Sequence, residues 1–265
     1  MLPRVLTITC ALVLLGACVP AEESNDKVKR YDPEENVMGE IQAGGVMRIG
    51  IPTDRPPFAI VEPGQEPRGF LVDLGTLAAE ALGVEPEFVP APNDDLLDLV
   101  YGWTTPITGP TGGGAAECTG ETSEADLVFP LVPITEELIT TYTFTDPFWV
   151  GHTRSLVSIG RSMGTTGAEV ARGPDVELLA RAYEDPRVKV GGEEQSTEGY
   201  GAASRCGTTT FGAVMSQVIN EADAEGNWTR SYETWLADLF VEPAPDEVPI
   251  MTVEDAAALY PTEFD

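Results

Sequence analysis

The sequence predicts an α/β fold built on a parallel sheet, and three observations lead to that prediction. Residues 46–51 alternate in the manner of a strand, and residues 71–82 place apolar side chains at helical spacing. Residues 125–129 form a short apolar run that is typical of a strand buried on both faces. Strands that alternate with helices along a chain favour a parallel sheet.

The first half of the chain continues this alternation. Gly83 directly follows the first helix and is expected to be its C-cap, because glycine readily adopts the left-handed conformation that ends a helix. A short strand is predicted at 87–89, and Asp94 or Asp95 is expected to cap the next helix. Residues 106–120 are rich in Gly, Pro and Thr and are predicted to form a long loop.

The second half of the chain also alternates. Its predicted elements are a strand at 155–159, a helix at 176–183, a strand at 188–190, amphipathic helices at 211–224 and 228–240, and a short segment at 253–259.

Composition and charge exclude some classes of partner. The chain has 265 residues with 15 Lys and Arg against 44 Asp and Glu, a formal net charge of −29. A chain this acidic is not expected to bind nucleic acid, which requires cationic side chains that displace counterions from phosphate. Hydrophobic residues make up 42% and charged residues 22%, as in ordinary globular proteins. The acidity itself is consistent with a saline habitat or with plain solubility.

The first residues have the layout of a secretory signal. Arg4 precedes an apolar stretch at 5–15 that is too short to span a membrane, which takes about 20 residues. The stretch ends in Leu-Gly-Ala-Cys at 15–18, which resembles a bacterial lipobox, although an ordinary signal with a chance cysteine is the alternative. The resemblance implies that residues 1–17 are a signal peptide and that Cys18 carries lipid. The polar residues 18–38 are then a flexible tether, and the protein is exported and anchored to the cell or outer membrane.

Two cysteines remain after the signal and the lipidated residue are set aside. Cys118 and Cys206 are expected to form a disulfide in an oxidising compartment, with two free thiols as the alternative. His152 is the only histidine, so a zinc site cannot be assembled convincingly. No metal and no other cofactor are expected.

Short motifs in a fixed order resemble a known family. They are residues 45–50, Pro56-Pro57-Phe58, 69–74, 126–128, 134–137, 144–148, 218–220, 226–228 and 232–236. In order and spacing they resemble extracellular solute-binding proteins of family 3, which are receptors of ABC importers, typically for polar amino acids. The similarity is strong over residues 44–150, moderate over 200–240 and poor over 151–200.

The resemblance implies a two-lobe clamshell of the type II periplasmic binding proteins. Lobe one is expected at residues 39–150 and 201–265, and a shortened lobe two at 151–200. A ligand binds in the cleft between the lobes, and the permease of an ABC importer recognises the closed form. No enzyme activity is expected, because the sequence offers no nucleophile with a base and no set of metal ligands.

The chain departs from the family where an amino-acid ligand would be held. The arginine that clamps the ligand carboxylate is replaced by Leu138, and the positions of the small donors are Leu131 and Pro133. Proline has no N–H to donate. Unless the register is misplaced by a few residues, the standard amino-acid clamp is absent, and Arg154, the next arginine downstream, lies too far along the chain to replace it.

Five further residues are candidates for the ligand site. Arg55 falls in the loop after the first strand and is either an anion partner or a surface arginine. Phe58 follows a family position and fits either the core or the ligand. Asn93 matches a position that covers the ligand side chain. Trp149 lies at the crossover between the lobes, where it stacks on a ligand or packs the hinge. Thr165 lies in a Gly-Thr turn expected before a helix, where N–H groups hold an anion.

Two functions remain open on this evidence. The first is a lipid-anchored receptor of an ABC-type importer for a small molecule other than a standard amino acid. The second is a solute-binding-like scaffold that serves as a partner or assembly protein for an exported enzyme such as a quinoprotein dehydrogenase. A shortened lobe and an altered clamp suit the second function.

Overall fold

Two β-sheets with helices packed against them form the fold. The structure is a computed structural model, and it describes residues 28–101, 104–105, 117–118, 123–159, 166–242 and 251–260. The predicted signal peptide, Cys18 and Thr165 lie outside the described residues.

The elements follow one another in an α/β order. The strands are β1 (Val46–Pro52), β2 (Glu85–Ala91), β3 (Thr104–Thr105), β4 (Glu117–Cys118), β5 (Leu127–Val128), β6 (Tyr142–Gly151), β7 (Thr153–Ile159), β8 (Thr166–Pro174), β9 (Val188–Gly191) and β10 (Glu198–Arg205). The α-helices are α1 (Val37–Gly44), α2 (Phe70–Leu82), α3 (Glu136–Thr141), α4 (Asp175–Glu184), α5 (Thr209–Ala224), α6 (Asn227–Trp235) and α7 (Val253–Ala257). Short 3-10 helices lie at Asn93–Val100 and Ala237–Leu239.

The larger sheet has five strands in the order β2-β1-β5-β10-β6. Strands β1, β2 and β5 are parallel, as the sequence predicts, whereas β10 runs antiparallel to both β5 and β6. The sequence does not predict β6, because Asp146 and Pro147 interrupt its apolar pattern. Pro147 lies where the β10–β6 ladder shifts register, so an irregular ladder accommodates the proline.

The smaller sheet has three antiparallel strands in the order β8-β7-β9, and α4 packs against all three of them. The expectation of a helix directly after Thr165 is wrong, because β8 begins at Thr166 and the next helix begins only at Asp175. The Ser155–Glu169 hydrogen bond joins β7 to β8. The backbone N–H and C=O groups that a helix would have paired with each other pair with β7 instead.

One buried core joins the two sheets. Ile49 and Phe70 of the larger sheet and its helix belong to the same hydrophobic cluster as Leu156, Leu179 and Val190 of the smaller sheet and α4. A second cluster lies around Leu96, Val100, Tyr142 and Phe144, between the 3-10 helix at 93–100 and the strands β5, β6 and β10.

Helix ends agree with the sequence in one case and differ in two. Gly83 has a φ of 67° and caps α2, as expected. Neither Asp94 nor Asp95 caps the next helix, whose N-cap is Pro92 without a side-chain hydrogen bond. The helix expected at 228–240 ends at Trp235, and a 3-10 turn carries the chain onward.

The folded part begins earlier than the predicted tether allows. Asn36 caps α1, and its Oδ1 accepts a hydrogen bond from the N–H of Met38, which is fully buried. The Gln42 side chain donates to the carbonyl oxygens of Lys29 and Leu82, which fastens the preceding residues to α2. The prediction that residues 18–38 form a flexible tether is therefore wrong for residues 28–38. Within the described part of the chain, no helix is long and apolar enough to cross a membrane.

Candidate functional site

The carboxyl ends of β1, β2 and β5 meet at one edge of the larger sheet. In open α/β sheets, ligands bind in the crevice outside the carboxyl ends of the strands. The loops that leave this edge begin at residues 53, 92 and 129. They contain Arg55, Phe58, Asn93, Leu131 and Pro133, so the fold brings the candidates from separate parts of the sequence to one edge.

Asp54 connects two of these candidates. Its Oδ1 accepts the N–H of Asn93 at 2.9 Å, and its Oδ2 pairs with Nη1 of Arg55 at 2.5 Å. Among the described residues the Arg55 guanidinium hydrogen-bonds only to Asp54, and the side chain is partly exposed at 22%. Sequence reasoning missed Asp54, although its place directly after a buried strand and beside Arg55 is a usable signal.

Both polar atoms of the Asn93 side chain hydrogen-bond to the protein backbone. The side chain is buried at 3% exposure, and its Oδ1 accepts the N–H of Leu131 at 2.8 Å. Its Nδ2 donates to the carbonyl oxygen of Leu131 at 3.5 Å. Asn93 therefore fastens the β2 loop to the β5 loop, and the geometry gives no support to its expected contact with a ligand side chain.

The positions that the sequence predicts for an amino-acid carboxylate offer no free donor. The N–H of Leu131 is used by Asn93, Pro133 has none, and the N–H of Leu138 donates to Oγ1 of Thr135 at 3.2 Å as part of the α3 cap. The Leu138 side chain packs against the second hydrophobic cluster. Arg154 lies on β7, where its guanidinium pairs with Glu194, so it does not replace the missing arginine.

Phe58 and Trp149 belong to a buried aromatic cluster. Phe58 is fully buried, and Trp149 is 4% exposed. The Trp149 ring lies about edge-on to Phe58 at 6.0 Å and stacks near Trp228 at 6.1 Å and Tyr232 at 6.2 Å. Phe70 completes the cluster at 6.1 Å from Trp149. Both rings therefore pack inside the protein, which favours a packing role over ligand contact for Trp149 and Phe58.

A buried carboxylate lies beside Trp149. Asp175, the first residue of α4, is 1% exposed and accepts the N–H of His152 at 3.0 Å and Nε1–H of Trp149 at 3.3 Å. Burial raises the pKa of Asp175 to about 6, against the opposing effect of these hydrogen bonds. Nε of Arg154 lies 3.9 Å from Asp175 and has no hydrogen-bond partner in the described structure. His152 donates through Nδ1 to the carbonyl oxygen of Ser196 at 2.7 Å.

Two grooves lie away from the carboxyl edge of the sheet. One is at the amino end of β1 beside Arg48, which pairs with Asp126 at 2.8 Å. The other, of about 590 Å³, lies between β6, α5 and α7 and is lined by both polar and apolar residues, among them Asp146, Gln217 and Phe144. In the described ranges no group of three or more His, Cys, Asp or Glu side chains is placed to hold a metal ion.

The predicted disulfide is only partly visible. Cys206 is disulfide-bonded and directly follows β10. The side chain of Cys118 lies outside the described residues, so the pairing of Cys118 with Cys206 stays a prediction.

Comparisons with known proteins agree with this geometry. Residues 47–101 match the family described as bacterial extracellular solute-binding proteins, family 3. The cysteine-binding protein of Campylobacter jejuni is similar in structure, with a TM-score of 0.59 at 14% identity over 80% of this chain and 97% of that chain. The fold is that of the two-lobe periplasmic binding proteins. The resemblance to solute-binding family 3 is therefore confirmed.

Other binding proteins share this fold at similar distance. A mutant of ArgBP from T. maritima has a TM-score of 0.53 at 20% identity, over 75% of this chain and 98% of that chain. An ancestral amino acid-binding protein described as a precursor of cyclohexadienyl dehydratase has a TM-score of 0.55 at 19% identity, over 75% and 98%. No curated protein sequence shows significant similarity to the chain.

Proposed function

We propose that this binding protein is an exported receptor of an ABC-type importer, anchored through lipid on Cys18, for a small molecule other than a standard amino acid. The family and the fold support a small-molecule ligand. The binding-protein role requires no catalytic group, and we propose none.

One observation carries the choice of ligand class. Asn93 occupies the N–H of Leu131, and the side chain at position 138 is an apolar leucine. A carboxylate brought to this edge would lose its hydration and gain neither a guanidinium nor these N–H groups. An unpaired buried carboxylate is strongly disfavoured. Arg55 is a cation at this edge, and its pairing with Asp54 leaves only part of its guanidinium for a ligand.

A ligand screen tests the proposal. The exported protein, purified in detergent, is heated with a panel of sugars, polyols, organic acids, nucleosides and polyamines. A ligand present at one hundred times its Kd adds about 2.7 kcal/mol to the free energy of unfolding, which raises the melting temperature. A reproducible shift with one class supports a solute receptor. No shift with any class, together with an exported enzyme recovered by crosslinking in cells, contradicts it.

The anchor has a separate test. Cys18→Ser removes the sulfur that would carry lipid, so the variant is expected in the soluble fraction after export. Cys10→Ser, in the same signal segment, is the matched control and should fractionate with membranes like the wild type. A Cys18→Ser protein that stays on membranes after a salt wash would contradict the anchor.

The second function, a scaffold for an exported enzyme, is favoured by one feature. The aromatic cluster around Trp149 packs buried rings near the crossover from β6 to β7, close to where a ligand would have to enter between the lobes. Crosslinking in cells followed by mass spectrometry separates the two functions. A permease among the products favours the receptor, and a dehydrogenase or cytochrome favours the scaffold.

A further inference from the structure

A groove of about 250 Å³, called here the amino-edge groove, lies at the end of the larger sheet where β1 begins. This edge is opposite the carboxyl edge that holds the candidate ligand site. The start of β1, the helix α1 and the end of β10 line the groove, together with the residues that lead into β5. The charged side chains of the lining are two arginines and two acidic residues, Arg48, Arg205, Glu40 and Asp126. The charge of the lining is therefore balanced, although the chain carries a net charge of −29.

The two arginines differ in how far their donors are used. Each side-chain nitrogen of Arg48 donates a hydrogen bond, two of them to the carboxylate of Asp126 and one to the carbonyl oxygen of Ser123. Among the described residues, the guanidinium of Arg205 makes no hydrogen bond, and its Nη2 lies 3.6 Å from Oε2 of Glu40. The side chains of Arg205 and Glu40 are 31% and 59% exposed. Both of these charges are therefore open to a ligand.

Apolar side chains border the same two charges. Val46 is 38% exposed, Val37 is partly buried, and both line the groove together with the buried ring of Phe211. A ligand that fits this lining carries an anionic group for Arg205, a cationic group for Glu40 and an apolar part. Such a zwitterion also meets less repulsion from the acidic chain than an anion would.

The amino-edge groove lies on the side of the molecule where the described chain begins. The helix α1 lines the groove, and the side chain of Gln42 in this helix donates to the carbonyl oxygens of Lys29 and Leu82. Cys18 lies ten residues before Val28, and ten residues reach at most about 35 Å. A lipid on Cys18 would therefore hold this edge of the sheet close to the membrane surface.

We propose that the amino-edge groove binds the head group of a zwitterionic phospholipid of the ethanolamine type. The phosphate accepts hydrogen bonds from the guanidinium of Arg205, whose planar fork matches phosphate oxygens. The ammonium group donates to the carboxylate of Glu40, and the acyl chains leave past Val46. The groove depends on the proposed anchor for its place beside the membrane, whereas its contacts with the head group do not require lipid on Cys18.

Vesicle binding by the full exported chain with Cys18→Ser tests the proposal. This variant cannot carry lipid at that position, so its binding is the same measurement whether or not the anchor is correct. Sedimentation compares vesicles of phosphatidylcholine alone with vesicles containing equal parts of phosphatidylethanolamine or phosphatidylglycerol. Binding should be about tenfold tighter to the ethanolamine vesicles than to either of the others, because choline has no N–H for Glu40 and glycerol has no cation. Equal binding to all three, or a preference for phosphatidylglycerol, would overturn the proposal.

Two variants connect this preference to the groove. Arg205→Gln should weaken binding to ethanolamine vesicles about tenfold, and Glu40→Gln should remove the preference over phosphatidylcholine. The matched controls are Arg230→Gln and Glu177→Gln, at exposed positions on α6 and α4, and they should bind like the parent. All four changes are at partly or fully exposed side chains, so the variants are expected to keep the melting temperature of the parent. Equal binding by Arg205→Gln and the parent would overturn the proposal.

A soluble head group separates a membrane lipid from a free metabolite as the ligand. In calorimetry, ethanolamine phosphate should bind more weakly than the vesicles do, and Arg205→Gln should abolish that binding. Binding of ethanolamine phosphate without any binding of ethanolamine vesicles would overturn the membrane as the source of the ligand.

Discussion

Asn93 is the residue on which the candidate site most depends. Its Oδ1 is the partner of the buried N–H of Leu131, and loss of such a partner costs about 1–3 kcal/mol. We expect Asn93→Ala to lower the free energy of unfolding by that amount in chemical denaturation. Asp94→Ala, at the exposed next position of the same 3-10 helix, is the matched control, with a smaller loss expected. Equal losses for the two variants would show that the bond to Leu131 is not what stabilises the loop.

Asp175 makes a prediction about pH. Its pKa is raised from 3.8 to about 6, so the folded state holds the proton more tightly than the unfolded state does. Its contribution to stability is therefore greatest at low pH and is lost as the pH rises from about 4 through about 6. The difference of about two between the pKa values of Asp175 in the folded and unfolded states corresponds to about 3 kcal/mol of unfolding free energy.

The variant Asp175→Asn removes that titration. As the pH rises from 4 to 7, the free energy of unfolding of Asp175→Asn should increase relative to that of the wild type by up to about 3 kcal/mol. Denaturation in urea at each pH measures this difference. Asp185→Asn is the control, because Arg187 lowers the pKa of Asp185 to about 2 and that group does not titrate in this window. Parallel pH profiles for Asp175→Asn and the wild type would contradict the burial of a charged carboxylate at Asp175.

At the scale of elements, the predicted Cys118–Cys206 disulfide would join two parts of the chain that strand pairing does not connect. β4 ends at Cys118 and pairs only with β3 among the described strands, whereas Cys206 follows β10 of the larger sheet. A Cys118–Cys206 bridge closes a loop of about 90 residues, which is worth about 4–5 kcal/mol in the chain-entropy model. We expect the non-reduced exported protein to yield a Cys118–Cys206 peptide in mass spectrometry. Two alkylatable thiols in the folded protein would contradict the pairing.

The sequence predicts those elements whose signal is local. The apolar spacing of α2 and the glycine at its end are sufficient for both its bounds and its cap. β9 is found from Val188 and Val190, whose apolar side chains flank Lys189. Strand β6 is missed because its pairing with β10, far along the chain, outweighs the weak local signal at Asp146 and Pro147.

The candidate site is predictable in position but not in detail. The resemblance to the family predicts that Arg55, Asn93 and Leu131 lie near one another. In the structure they do lie together, at the carboxyl edge of β1, β2 and β5. Their roles depend on hydrogen bonds that no spacing rule reveals, such as the two that Asn93 makes with Leu131. Burial of Trp149 depends on Trp228 and Tyr232, which come from a helix almost eighty residues later.

At the scale of the whole molecule, the fold is that of two-lobe periplasmic binding proteins, and we propose that its binding edge differs from that of the amino-acid receptors. In this chain the edge of β1, β2 and β5 presents Asp54 with Arg55, while the Leu131 N–H is already paired with Asn93. The strong acidity, with a net charge of −29, adds a field that disfavours anions near the surface.

Calorimetric titration of the exported protein with arginine, glutamine, glutamate and histidine tests the central claim most directly. The account predicts no binding tighter than millimolar for any of them, because neither Leu131, Pro133 nor Leu138 supplies a partner for the α-carboxylate. A ligand found in the screen serves as the positive control for active protein. Micromolar affinity for any one of the four amino acids would contradict the loss of the clamp.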